Sequence, residues 1–230
     1  MKLLISSVVL FCALATANAK TIDGQVFIVT AGGPSIKLAL VQVAAVSQGD
    51  IQKHIADTDA SLVAERTKID ATVMELTQAI ERDRRSLGPA KWEAGKGGFG
   101  WWMMRGPGVG KNGATEWPKF HALEQRLAKN EERARPVLSR QNYLRSAAPY
   151  FVTLPSPIAT AKTDADGRFQ LNIPDEGDYA LVASSSRLVF NTTEKYLWIV
   201  RVKPQDSKAT LSNDNLTTAG SEDSLLKTQY

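Results

Sequence analysis

Apolar and polar residues alternate through 163–183, TDADGRFQLNIPDEGDYALVA, with Phe169, Leu171 and Ile173 on one face of a strand and Tyr179, Leu181 and Ala183 on one face of the next. Asp166-Gly167 and Glu176-Gly177 supply the turns where the chain reverses. The same two-residue period predicts strands over 21–29, 36–46 and 196–203, and shorter ones over 151–154, 158–163 and 209–212. Two of these are apolar on both sides. Leu38 and Leu40 oppose Ala39, Val41, Val43 and Ala45, while Leu197 and Ile199 oppose Tyr196, Trp198, Val200 and Val202. A strand facing water on one side would be polar there, so the helical insertion is expected to pack back on the sheet near these strands.

Between 49 and 87 the period changes to that of a helix, with Ile51, Ile55, Leu62, Ile69, Val73, Leu76, Ile80 and Leu87 on one narrow stripe broken by Arg66 and Asp83. Gly88-Pro89 is expected to end this run. A second stripe starts near Pro118 and carries Phe120, Leu123, Leu127, Ala134, Val137 and Leu144, interrupted by Asn130 and Gln141, and Pro136 is expected to kink or divide it. Two helices with one apolar seam each fold most simply as an antiparallel hairpin. The connection at 88–117 is rich in glycine and tryptophan and lacks any period. Residues 220–230 read as a loose polar tail.

Composition narrows the setting. Lys2, an apolar run at 3–15 and the small-x-small triplet Ala17-Asn18-Ala19 describe a signal peptide cleaved after Ala19. No later stretch approaches the ~20 apolar residues of a membrane span. Cys12, the one cysteine, lies inside that apolar run, so cleavage leaves a chain without disulfides, thiol catalysis or cysteine-bound zinc. The net charge of +4 includes Lys2 and falls to +3 without it. Basic and acidic residues are interleaved, which argues against a nucleic-acid face.

Four short motifs in order, Gly24-Gln25-Val26, Ala39-Leu40-Val41-Gln42-Val43, Thr163-Asp164-Ala165-Asp166-Gly167-Arg168-Phe169 and Gly177-Asp178-Tyr179-Ala180-Leu181, resemble the carboxypeptidase regulatory-like domains, which are transthyretin-like β-sandwiches. The resemblance covers 20–47 and 151–212. It implies a non-catalytic accessory module used in folding, adhesion or binding. The chain departs from the family by inserting 48–149, on which the resemblance is silent.

Several stretches invite sharper chemistry and fall short of it. Residues 106–112, GPGVGKN, lack the first glycine and the final hydroxyl of a phosphate loop, since Arg105 and Asn112 stand at those positions. Asp164-Ala165-Asp166-Gly167 opens like a calcium loop without the remaining ligands, and a hairpin turn accounts for the same letters. His54 and His121 start opposite helices of an antiparallel pair and so share no metal. Glu65, Asp70, Glu75 and Glu81 look like a solvated coiled-coil face. Asn191-Thr192-Thr193 and Asn215-Leu216-Thr217 fit the glycosylation sequon, a triplet common by chance.

The feature with most functional promise is Trp101-Trp102-Met103-Met104-Arg105, whose indoles on glycine hinges suit a partner groove, a lipid interface or the face of a sugar. Packing of those tryptophans within the hairpin competes with that reading. The sequence therefore predicts an α+β chain: signal peptide 1–19; a transthyretin-like antiparallel β-sandwich from 20–47 and 150–212; a long antiparallel coiled-coil hairpin at 48–149 with its loop at 88–117; and a flexible tail at 213–230. The expected role is a secreted or periplasmic binding or scaffolding protein without cofactor or metal. Its partner is a protein or envelope component, and its helices are suited to self-association. A cell-wall or glycan hydrolase with paired carboxylates, and a carrier of small ligands, are the rival readings.

Overall fold

The computed structural model describes residues 19–30, 32–95, 113–218 and 225–228. Residues 1–18 of the expected leader peptide and Trp101, Trp102, Met103, Met104 and Arg105 lie outside them. The chain is mixed α and β and divides into two compact units. One is a sheet unit that includes the described residues up to Gln52 and those from Pro155 to Thr217 and 225 to 228. The other is a helical unit from Lys53 to Leu154.

In the sheet unit β1 (Ala19–Val29) is the organising strand of the first sheet. It pairs antiparallel with β2 (Ser35–Lys37) and β5 (Arg168–Pro174), and parallel with β8 (Lys208–Leu211). The second sheet runs in the order β4 (Ala159–Lys162), β3 (Gln42–Ser47), β6 (Tyr179–Val189), β7 (Thr192–Val202), β9 (Lys227–Thr228). The alternation read from the sequence becomes a shared core. Ile22, Val26, Phe169, Leu171 and Leu211 from the first sheet meet Val43, Leu181, Trp198 and Val200 from the second. Trp198 is fully buried and donates its indole N–H to Ser212 O at 2.9 Å, so the largest core side chain leaves no orphan donor.

Gly24 pairs directly with Phe169 across β1 and β5. An ideal Cβ at Gly24 would sit 2.1 Å from Phe169 Cζ and 2.8 Å from Ala209 O, so the ring occupies the space a side chain would need. Gly167 turns the chain with φ +70°, and a Cβ there would lie 2.4 Å from Val26 O. Asp164 Oδ1 accepts from the N–H groups of Asp166 and Arg168, both at 2.8 Å, so this carboxylate holds the turn together.

The structure departs from the expected elements in five places. The run 36–46 is two strands in different sheets. Leu38 enters the core, and Leu40 is 71 % exposed with φ +62°. The crossing segment is clipped by Thr163, whose hydroxyl donates to Leu38 O at 2.7 Å and accepts from Val41 N at 2.8 Å. Ile199 is buried as expected. It lies with Ala180 and Val182 outside the shared core, and Ile51, Leu225 and Leu226 of the same unit are buried outside it too. Residues 151–154 form no strand, because Ala148–Phe151 is a 3-10 turn. Gly88-Pro89 does not end the first helix, which runs on as α1 (Gln48–Gly95), and α2 (Gly113–Arg145) starts before Pro118 and passes through Pro136 undivided. A proline costs one backbone bond and some packing, which a long helix with tertiary support absorbs. Of the loop expected at 88–117, residues 88–95 and 113–117 are helical, and the rest lies outside the described residues. The expected flexible tail is ordered in part. Asn213–Asn215 is a 3-10 turn with a capping box from Ser212, and β9 pairs with β7 at Val200 and Arg201.

Candidate functional site

The helical unit explains its own polar interruptions. Asp83, 4 % exposed at its side chain, accepts from Arg126 Nη2 at 2.6 Å, Arg126 Nε at 3.1 Å and Asn130 Nδ2 at 3.2 Å. Arg140 grips Glu65 with a two-pronged contact at 2.8 and 3.0 Å, while Gln141 and Arg145 both reach Asp70 Oδ1, at 2.7 and 2.9 Å. Arg84 meets Glu131 at 2.8 Å. From the pairs of Glu65 and Asp70 to those of Asp83 and Arg84 the partners on α2 fall back from 140–145 to 126–131, which is an antiparallel register written in side chains. Glu65 and Asp70 are therefore cross-helix partners rather than a solvated face.

These contacts set the electrostatics. Hydrogen bonding from Arg140 holds the Glu65 carboxyl below its usual range, Gln141 and then Arg145 do so for Asp70, and Arg126 does so for Asp83. Near the base of the pair, Arg66 binds Leu144 O, Asp59 and the Tyr150 hydroxyl, and that hydroxyl donates to Asp59 at 2.5 Å. Burial and then Asp59 push the Tyr150 phenol upward. His54 Nε2 lies 2.9 Å from Tyr150 O. His121 instead stacks on Trp117 at 5.6 Å and contacts Glu124 at 3.1 Å, so the two histidines serve separate local networks. Trp92, on α1, is 61 % exposed, and Trp117 packs edge-on against Phe120.

A second feature lies in the sheet unit. A cleft of about 580 Å³ opens between Ile28, Val29 and Thr30 at the end of β1, Arg187 and Glu194–Tyr196 on β6 and β7, and Asn213 and Leu216. Arg187 and Glu194 are cross-strand partners joined at 2.9 Å, and the Tyr196 hydroxyl donates to the same carboxylate. Tyr196 and then Arg187 hold Glu194 below its ordinary value, so it stays ionised at neutral pH. Arg187 Nε is buried and has no acceptor among the described residues. Asn213 is committed to the Val29 backbone, accepting from its N–H and donating to its C=O at 2.8 and 3.2 Å.

Sequence reasoning missed this cleft because its walls come from three distant segments that only strand pairing brings together. The available signal was Arg187 and Glu194 flanking a reversal at equal distance. Of the two sequons, Asn215 is buried and spends its side chain on Ser212 N and Thr210 O. No group of three metal-binding side chains occurs among the described residues, and no described helix is long and apolar enough to cross a membrane. Comparison with protein-family models, with curated proteins and with solved structures finds no match to this chain.

Proposed function

We propose that this chain is an exported, non-catalytic binding or scaffolding protein, built on a transthyretin-like, carboxypeptidase regulatory-like domain, whose helical pair is the arm that meets a partner. The observation that carries the reading is the matched polar ladder. Asp83, Asp70 and Glu65 each find a partner on the other helix, which gives the arm one register and a fixed surface. The family reading draws support from the meeting of Gly24 with Phe169, residues of two separate motifs, in one strand register. The carboxyls whose titration is clearly perturbed are all held low, which suits ion pairing better than proton transfer near neutrality.

The test has two parts. Expression with the natural N-terminus should yield an exported product beginning at Lys20, and crosslinking in the intact envelope should capture a partner through α1 or α2. A product retained at full length inside the cell, or hydrolysis of a glycan by the purified chain, would refute the proposal.

The cleft favours a second reading, a carrier of small ligands. An aliphatic floor with an unspent arginine donor suits a small apolar carboxylate. Unfolding temperatures that do not move across a series of such acids would exclude it.

A further inference from the structure

We propose that the turn joining β6 to β7 is an anchor for a lipid interface. The two strands pair along their whole length, from Tyr179↔Val202 to Val189↔Thr192. Their neighbours are shorter. β3 pairs with β6 only as far as Ala183, and β9 touches β7 only at Val200 and Arg201. Among the described residues no other strand pairs with 184–189 of β6 or 192–196 of β7, so this outer part is a two-stranded ribbon, stiffened by the Arg187–Glu194 pair and the Tyr196 hydroxyl. A lone ribbon is marginal without such bracing.

At its end stands a two-residue turn with Phe190 first. Phe190 adopts φ +52°, a conformation that such turns ordinarily give to glycine, and its side chain finds almost nothing to pack on, being 95 % exposed. Leu188, two residues earlier on β6, is 71 % exposed. The backbone is therefore held in an unfavourable form that delivers an aromatic ring to solvent, a cost with no return inside the described fold.

The order of chemistry along the ribbon indicates what receives it. The apolar end is followed by the uncharged Asn191, Thr192, Thr193 and Ser186. Behind them Glu194 is neutralised by Arg187, and Lys195 makes no ion pair among the described residues. An apolar end, a hydroxyl and amide collar and one remaining cation match the layers of a bilayer surface: acyl chains, glycerol region and phosphate. A protein groove would call for a directional polar contact at the tip, and both outermost large side chains are pure hydrocarbon. Two side chains and one charge give weak, reversible attachment, short of a stable anchor.

Co-sedimentation of the full chain with phosphatidylcholine vesicles, with and without phosphatidylglycerol, tests this. Attraction due to residues 3–15 is common to all variants, so only differences count, and they do not depend on whether the chain is exported. Leu188→Ser with Phe190→Ser should lower partitioning on both vesicle types at least about tenfold. Lys195→Gln should lower it about fivefold, and on the anionic vesicles alone. Phe190→Gly should raise the unfolding temperature while lowering partitioning, which separates loss of binding from loss of fold. Equal partitioning of wild type and the double serine variant would overturn the proposal. So would a concentration-dependent dimer in light scattering that Phe190→Ser abolishes, since that result assigns the tip to a second copy of the chain.

Discussion

Gly24→Ala adds a single methyl group to β1, and the structure fixes where that methyl would go. The new Cβ falls 2.1 Å from Phe169 Cζ, 2.4 Å from Cε1 and 2.8 Å from Ala209 O. Neither neighbour yields easily, because Phe169 is 6 % exposed within the shared core and Ala209 lies in β8, which is hydrogen-bonded to β1. Overpacking of this kind costs about 1–3 kcal/mol, against which restricting the unfolded chain at glycine returns only about 0.4–1 kcal/mol. A net loss of about 1–2 kcal/mol is expected, worth a fall of roughly 3–12 °C in unfolding temperature for domains in this size range. The assay is thermal and denaturant unfolding of wild type, Gly24→Ala, Phe169→Leu and the double variant. Leucine vacates the space in which the methyl and ring collide, so the two changes should compensate by at least about 1 kcal/mol. Strictly additive losses would refute the claim that ring and glycine occupy one volume, as would a Gly24→Ala cost within about 0.5 kcal/mol of zero.

Thr163→Val keeps the shape of the side chain and deletes the hydroxyl that bridges Leu38 O and Val41 N, so a loss of about 1–3 kcal/mol is expected in denaturant unfolding. Glu65, Asp70 and Asp83 have folded-state values below their unfolded ones. Their stabilisation is thus complete above roughly pH 5, begins to fall near the unfolded values, and is lost as pH falls through the folded values. Far-ultraviolet circular dichroism should show the helices weakening only in acid, and helix loss between about pH 5 and 7 would contradict this. Added salt should move that acid transition to higher pH, since most partners in the ladder are half exposed. Asp83→Leu should preserve helix content and admit alternative registers or self-association, read by light scattering; a strictly monomeric variant of unchanged stability would show that Asp83 sets neither.

Strand positions were legible wherever one face is dry and the other wet, as in Phe169, Leu171 and Ile173 of β5. Period-2 alternation carries that information locally. It failed at 36–46, where the alternation continues unbroken while the chain changes sheets at Leu40, because the crossing is fixed by Thr163 far along the sequence. The helix stripes were legible too, and so was the existence of breaks at Arg66, Asp83, Asn130 and Gln141. Which break meets which is a tertiary fact, visible only once the helices are side by side. Gly88-Pro89 and Pro136 misled because each helix continues through its proline and forgoes one backbone hydrogen bond there. The cleft, with walls from 28–30, 187–196 and 213–216, had no local signature at all.

The point of attachment of the long insertion has a consequence for how such a chain can change. Ala45 on β3 lies directly across from Ala159 on β4, and Ile158 N donates to Ala45 O at 2.8 Å. The chain therefore leaves the sheet and re-enters it through two adjacent doorways, whatever happens in between. Lengthening an excursion whose ends already touch adds little closure entropy, growing only with the logarithm of its length. The part of that excursion outside the sheet unit, 53–154, is in effect a replaceable cassette, expected to tolerate lengthening or exchange while the core of Trp198, Leu181 and Ile22 goes on folding as before.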